Sequence, residues 1–91
     1  MLTAMSKLGK GESGIIKNIE HVGNMRRRLI DIGFNVGERV TLLARAPLGE
    51  PDAFYIKGSI IALRRDDAEL ITIITEEEDG TDPKQRRQGD T

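Results

Sequence analysis

The chain reads as a mainly β domain, a small barrel of five to six short strands carrying one main α-helix. Three observations predict this. Short β-branched apolar runs recur at close spacing from Ile15 to Ile74, separated by turns rich in Gly and Pro. A single segment, residues 24–33, carries a helical period instead. The length of 91 residues allows one domain, which at that size buries only about 60% of its unfolded surface. Nearly every apolar residue is then needed for one core, and a deep catalytic pocket would compete for them.

Residues 1–6 read as a lead-in to the domain proper, 7–75. Gly9-Lys10-Gly11-Glu12-Ser13-Gly14 opens it as a turn, with Gly11 and Gly14 as turn residues. A phosphate loop is excluded, because that motif needs Gly-x-x-x-x-Gly-Lys-Ser/Thr between a strand and a helix, and here the glycines precede a strand. Ile15, Ile16 and Ile19 make the first strand. Asn24 is suited to cap the helix that follows. Met25, Leu29 and Ile32 fall at i, i+4 and i+7, one helical face. Gly33 suits the left-handed residue past its end, with Phe34 packing back on Leu29.

Asn35-Val36-Gly37-Glu38 is a turn, and Val40, Leu42 and Ala44 alternate with Arg39, Thr41, Leu43 and Arg45 as the second strand. Pro47-Leu48-Gly49-Glu50-Pro51 forms a rigid loop, since each proline fixes its own φ and Pro51 restricts Glu50 to extended geometry. Phe54-Tyr55-Ile56 is the third strand, Gly58 turns the chain, and Ile60–Leu63 is the fourth. Asp66-Asp67-Ala68 suits one helical turn, its carboxylates acting as caps, and Leu70–Ile74 is the fifth strand. Beyond it, residues 76–91 have no apolar side chain to bury and read as a disordered charged tail. Five strands in about 65 residues match an SH3-like barrel.

Composition narrows function. With no Cys there is neither a disulfide framework nor a thiolate metal site, which fits a reducing, cytoplasmic setting. The first ten residues lack the apolar core of a signal peptide. Residues 1–74 hold eleven Lys/Arg against nine Asp/Glu; residues 75–91 hold three against six. A near-neutral domain with only Phe34, Phe54 and Tyr55 as aromatics is a poor nucleic-acid binder, although Arg26-Arg27-Arg28 with Arg64-Arg65 could form a basic stripe. No serine has a neighbouring histidine to activate it, so no catalytic residue is expected and the chain is not read as an enzyme. His21 is the single histidine. Beside Glu20 it reads as a surface residue after a strand; the pair could hold an adventitious ion, but no metal site and no required cofactor are expected.

Two features favour a protein partner. Arg26, Arg27 and Arg28 crowd the helix N-terminus, where the dipole disfavours cations, and Asp31 sits near the other end; Arg27–Asp31 and Arg28–Asp31 pairs would offset little of this. The loop Pro47, Leu48, Gly49, Glu50, Pro51 either presents Leu48 to a partner or tucks it against the barrel.

These residues also carry a resemblance. Arg27-Arg28-Leu29-Ile30-Asp31-Ile32-Gly33-Phe34-Asn35-Val36-Gly37 resembles the Arg-Leu-x-x-Met/Leu-Gly-Phe/Leu-x-x-Gly block of the FeoA family. Ala46-Pro47-Leu48-Gly49-Glu50-Pro51 is similar to its Ala-Pro-Leu-Gly-Asp-Pro loop, with Glu50 for the usual Asp. Ile61-Ala62-Leu63-Arg64-Arg65-Asp66-Asp67-Ala68 is similar to its Leu-Ala-Leu-Arg-x-x-Glu-Ala segment, and Leu8-Gly9-x-Gly11-x-x-Gly14-x-Ile16 fits its lead-in. Ser59 departs from the aromatic the family often has after the glycine. The resemblance spans about residues 7–75. It implies an SH3-like fold shared with the C-terminal domain of diphtheria-toxin-repressor-type metalloregulators. It also implies an accessory role in ferrous iron uptake beside FeoB, a membrane transporter with a cytosolic G-protein domain. The expected state is a monomer or weak homo-oligomer. Alternative partners are a nucleic acid or a metalloregulator.

Overall fold

The computed structural model describes residues 1–75, so the tail expected at 76–91 lies outside the described residues. The elements are β1 (Leu2–Ala4), a 3-10 turn (Met5–Lys7), β2 (Ser13–Ile19), α1 (Gly23–Asp31), β3 (Arg39–Ala44), β4 (Asp52–Ile56), β5 (Ser59–Leu63), α2 (Arg65–Glu69) and β6 (Ile71–Thr75). The strands form one antiparallel sheet ordered β1-β6-β2-β3-β4-β5. Leu2–Ala4, read from sequence as a lead-in, pairs with Ile74–Thr72 and supplies the sixth strand.

The sheet curls because two strands carry irregularities. β2 shifts register against β6 between Ile16 and Asn18, and β3 shifts against β4 between Leu42 and Ala44. An extra residue at such a point bends the strand and increases its twist. The curled sheet encloses one core of Ile16, Ile19, Val40, Leu42, Phe54, Ile56, Ile71 and Ile73, plugged by Met5, Leu8, Leu29 and Phe34. In β3 Val40 and Leu42 face inward as their alternation predicts, but Ala44, expected on the same face, is exposed because the register shifts after Leu42; in β4 Phe54 and Ile56 face inward.

Gly14 is not a turn residue. It lies inside β2, buried, and a Cβ there would stand 2.7 Å from Ile73 Cδ1 and 2.9 Å from the Ile74 carbonyl oxygen. The strand needs a glycine for close approach to β6. Gly11, Gly37 and Gly58 do sit in turns, each with positive φ.

The helix differs at its start and agrees at its stop. α1 begins at Gly23, Val22 occupies the cap position, and no side chain caps it; Asn24 is inside the first turn. Its N-terminal anchor is Arg26, which donates to the Ile19 carbonyl at 2.5 Å and ties the helix to the end of β2. At the other end Phe34 N–H donates to Leu29 O at 2.9 Å and Gly33 N–H to Ile30 O at 3.1 Å. That is the Schellman bond pair, with Gly33 at φ +121° and Leu29 and Phe34 both buried. Ile32, expected on the buried face, is exposed, because α1 lies over the core only through Met25 and Leu29. The second helix, expected at 66–68, spans Arg65–Glu69. Arg64 is its cap residue, so Asp66 and Asp67 are first-turn carboxylates rather than caps.

Candidate partner-binding surface

The loop 47–51 leaves β3 and re-enters at β4. Gly49 N–H donates to Ala46 O at 3.2 Å, closing a turn with Pro47 and Leu48 at its tip. Leu48 is 99% exposed, so it is presented to solvent and not tucked against the barrel. Val22, Met1, Ile60, Val36 and Leu2 are the other large apolar side chains more than half exposed among the described residues.

The base of this loop is held by a residue that the sequence reading passes over. Asp52 has the inward parity of Phe54 and Ile56, and is 1% exposed. A carboxylate there must be paired. Its Oδ2 accepts from Arg45 Nη1 at 3.0 Å and from Arg65 Nε at 3.0 Å; its Oδ1 accepts from Arg65 Nη2 at 3.3 Å and from Ala46 N–H at 3.1 Å. Arg45 also donates to the Leu8 carbonyl at 2.5 Å and the Ser6 carbonyl at 2.9 Å. One carboxylate therefore joins the loop base, α2 and the N-terminal segment. Burial pushes the Asp52 carboxyl up, but the Arg65 hydrogen bond, the Ala46 N–H and the charges of Arg65 and Arg45 together outweigh it. The result lies below the usual carboxylate range. Parity was the available signal: an Asp on the same strand face as Phe54 and Ile56, two residues before the first of them, calls for a cationic partner.

The three arginines of α1 do not share one role. Arg26 is committed to the Ile19 carbonyl. Arg27 and Arg28 are exposed, and neither makes an ion pair with Asp31 among the described residues. Gly23, Arg26, Arg27 and Ile30 line a shallow open groove along the helix. α2 lies between this helix and the loop. Arg65 at its start reaches Asp52 at the loop base, Arg64 pairs with Glu50 at 3.6 Å, and Asp67 faces His21, two residues before α1. Both candidate elements thus flank α2.

His21 is not on the surface: it is buried, at 6% exposure. No polar contact joins it to Glu20; the carboxylate it meets is Asp67, with Nε2 and Oδ1 3.4 Å apart. Among the described residues no group of three or more His, Asp or Glu side chains converges as a metal cluster. No helix among them is long and apolar enough to cross a membrane.

A family model described as the FeoA domain matches residues 3–74. Among curated proteins, an Fe(2+) transport protein A/Fe(2+) transporter FeoB fusion protein of Porphyromonas gingivalis is 33% identical over 69 residues. The match covers 76% of this chain and 8% of that much longer protein. The solution structure of FeoA from Chlorobium tepidum superposes with a TM-score of 0.77 at 31% identity, over 81% of this chain and 70% of that one. The zinc-complexed crystal structure of FeoA from Stenotrophomonas maltophilia, described as a prokaryotic SH3 domain protein, superposes with a TM-score of 0.69 at 27% identity, over 78% and 88%. Fold, motif order and family model agree, and the chain belongs to the FeoA domain family, which the fused relative links to ferrous iron transport.

Proposed function

We propose that this chain is a non-catalytic accessory domain of ferrous iron uptake that docks on the cytosolic part of a FeoB-type membrane transporter. The observation that carries this reading is the fused relative, in which the corresponding domain shares one polypeptide with FeoB. A tether gives two modules an effective concentration in the millimolar range. Contact between the two modules themselves needs a surface on this domain.

Leu48 and the exposed α1 arginines are the support for that surface. Leu48 stands at a turn tip whose base is fixed by Asp52, so little conformational entropy is lost when it is buried by a partner. Arg27 and Arg28 offer charge for steering. A contact built from one loop and one helix face is small, and so weak or transient. The test is surface binding of the full chain to the transporter's cytosolic domain at low salt. Leu48→Ala is expected to weaken binding by about 1 kcal/mol or more, mainly through faster dissociation, and Arg27→Glu to slow association. Binding unchanged by both substitutions, with both variants folded, would place the contact elsewhere. Retention on a random RNA pool with a steep salt slope would replace this reading with a nucleic-acid one.

A further inference from the structure

β5 is the last strand of the sheet, and among the described strands it pairs only with β4. Folded sheets usually protect such an edge with a charge, a proline or a bulge. Ser59-Ile60-Ile61-Ala62-Leu63 has none of the three. It pairs residue for residue with β4, from Ile56–Ser59 to Asp52–Leu63, without a register shift. The cations that flank it are turned back across the sheet. Lys57 Nζ lies 3.5 Å from the carboxylate of Glu38, which precedes β3, and Arg64 Nε lies 3.6 Å from that of Glu50, in the loop before β4.

The turn before β5 fixes which backbone groups face outward. Lys57 and Gly58 both have positive φ, at 49° and 81°, and form the two-residue turn of a tight hairpin. Its closing pair, Ile56 with Ser59, exchanges backbone hydrogen bonds, and pairs of that kind alternate along an antiparallel ladder. Ser59, Ile61 and Leu63 therefore bond to β4, whereas Ile60 and Ala62 point their N–H and C=O groups to the open edge. Both side chains are exposed, Ile60 to 67%.

We propose that this edge pairs with β5 of a second copy of the chain, antiparallel about a two-fold axis at Ile61. In that register Ile60 of one copy lies opposite Ala62 of the other, and their outward N–H and C=O groups exchange hydrogen bonds on both sides of the axis. The surface is thus self-complementary, as a two-fold interface requires. Ile61 is partly buried against the core of its own barrel, and on the axis it meets its equivalent, which extends that packing from one copy to the next. Charge also selects a copy of the same strand. Neither strand carries a charge, so an acidic or basic segment would find no counter-charge along it. Past the strand ends Arg64 falls opposite Gly58. Lys57 falls opposite Arg65, and each of those cations already has its own carboxylate, Glu38 and Asp52. Two five-residue strands bury less than the about 1,200 Å² of a stable complex, so the dimer is weak and depends on concentration.

The absence of cysteine makes the test clean. Across the axis the two Ile61 residues form a non-hydrogen-bonded pair with Cα atoms about 4.5 Å apart, within disulfide reach. The two Ile60 residues stand on a diagonal, about 7–8 Å apart, beyond it. Under mild oxidation Ile61→Cys is expected to give a covalent dimer at least about tenfold faster than Ile60→Cys, although Ile60 is the more exposed position and would react faster by random collision. Sedimentation of the full chain at up to about 1 mM should show a reversible dimer, which Ile60→Lys weakens by about tenfold or more by placing a charge on the edge. Both measurements are made on variants that keep the wild-type circular dichroism spectrum. Should Ile61→Cys fail to fold, the comparison of wild type with Ile60→Lys decides the matter. A monomer throughout that range, wild-type association in Ile60→Lys, or faster cross-linking through position 60 would overturn the proposal.

Discussion

At the scale of single residues, Asp52 does the most to set the loop. It is the one fully buried carboxylate described, and its partners Arg45 and Arg65 are each more than a third exposed. Solvent screening therefore weakens their contribution relative to a fully buried pair. Asp52→Ala leaves two arginines and the Ala46 N–H without their acceptor, and should cost roughly 2 kcal/mol in a urea melt. The pH dependence follows from the same contacts. The folded carboxyl titrates below its unfolded value of about 3.9, so its stabilisation is complete above that value and is lost as pH falls through the folded one. Wild-type stability should drop below about pH 4, and Asp52→Asn should flatten that decline. An equal acid slope in both proteins would mean that other carboxylates dominate.

Two glycines offer residue-scale tests of different physics. Gly33 has φ +121°, so Gly33→Ala imposes backbone strain and should destabilise by about 1 kcal/mol or more. Gly14 has no unusual φ, but an added Cβ would meet the Ile74 carbonyl oxygen at 2.9 Å, and backbone moves less readily than a side chain. Gly14→Ala should cost about 1–3 kcal/mol through overpacking between β2 and β6. Unchanged denaturation midpoints would refute either account.

At the scale of elements, α1 is held by its stop and by one arginine instead of by an N-terminal side-chain cap. The charge that disagrees with the helix dipole at Arg26 is thereby explained: the guanidinium caps the end of a strand. Arg26→Ala should cost about 1.5 kcal/mol, as expected for a charged donor to a carbonyl, while Arg27→Ala should stay within about 0.5 kcal/mol. Comparable losses at both positions would show that the Ile19 contact is not what anchors the helix. The loop makes the complementary case. Leu48 contributes nothing to the core, so Leu48→Ala should leave the melting midpoint unchanged even where it weakens partner binding.

At the scale of the whole molecule, every buried core residue among the described residues falls within Met5 to Ile73. A chain ending at Thr75 should therefore fold with a stability within about 0.5 kcal/mol of the full chain, measured by denaturant titration. A larger loss would assign a structural role to 76–91. The pattern of short strands, the inward parity of Val40 and Leu42 in β3, and the Gly33 stop were legible in the sequence because each depends on neighbours within a few residues. So was the Pro47–Pro51 loop, whose backbone is restricted by its own prolines, although whether it presents or tucks in Leu48 was settled only by the tertiary structure. Other features depended on groups far apart in the chain. Asp52 becomes a staple only when α2 brings Arg65 beside it and β3 brings Arg45. Gly14 matters only because β6 returns to lie against β2. His21 is buried only once α2 folds over the end of β2, placing Asp67 next to it. Local spacing determined the elements and their caps, whereas charge pairing and burial were decided by tertiary contacts, because the energy of a buried polar group is set by whichever distant residue ends up facing it.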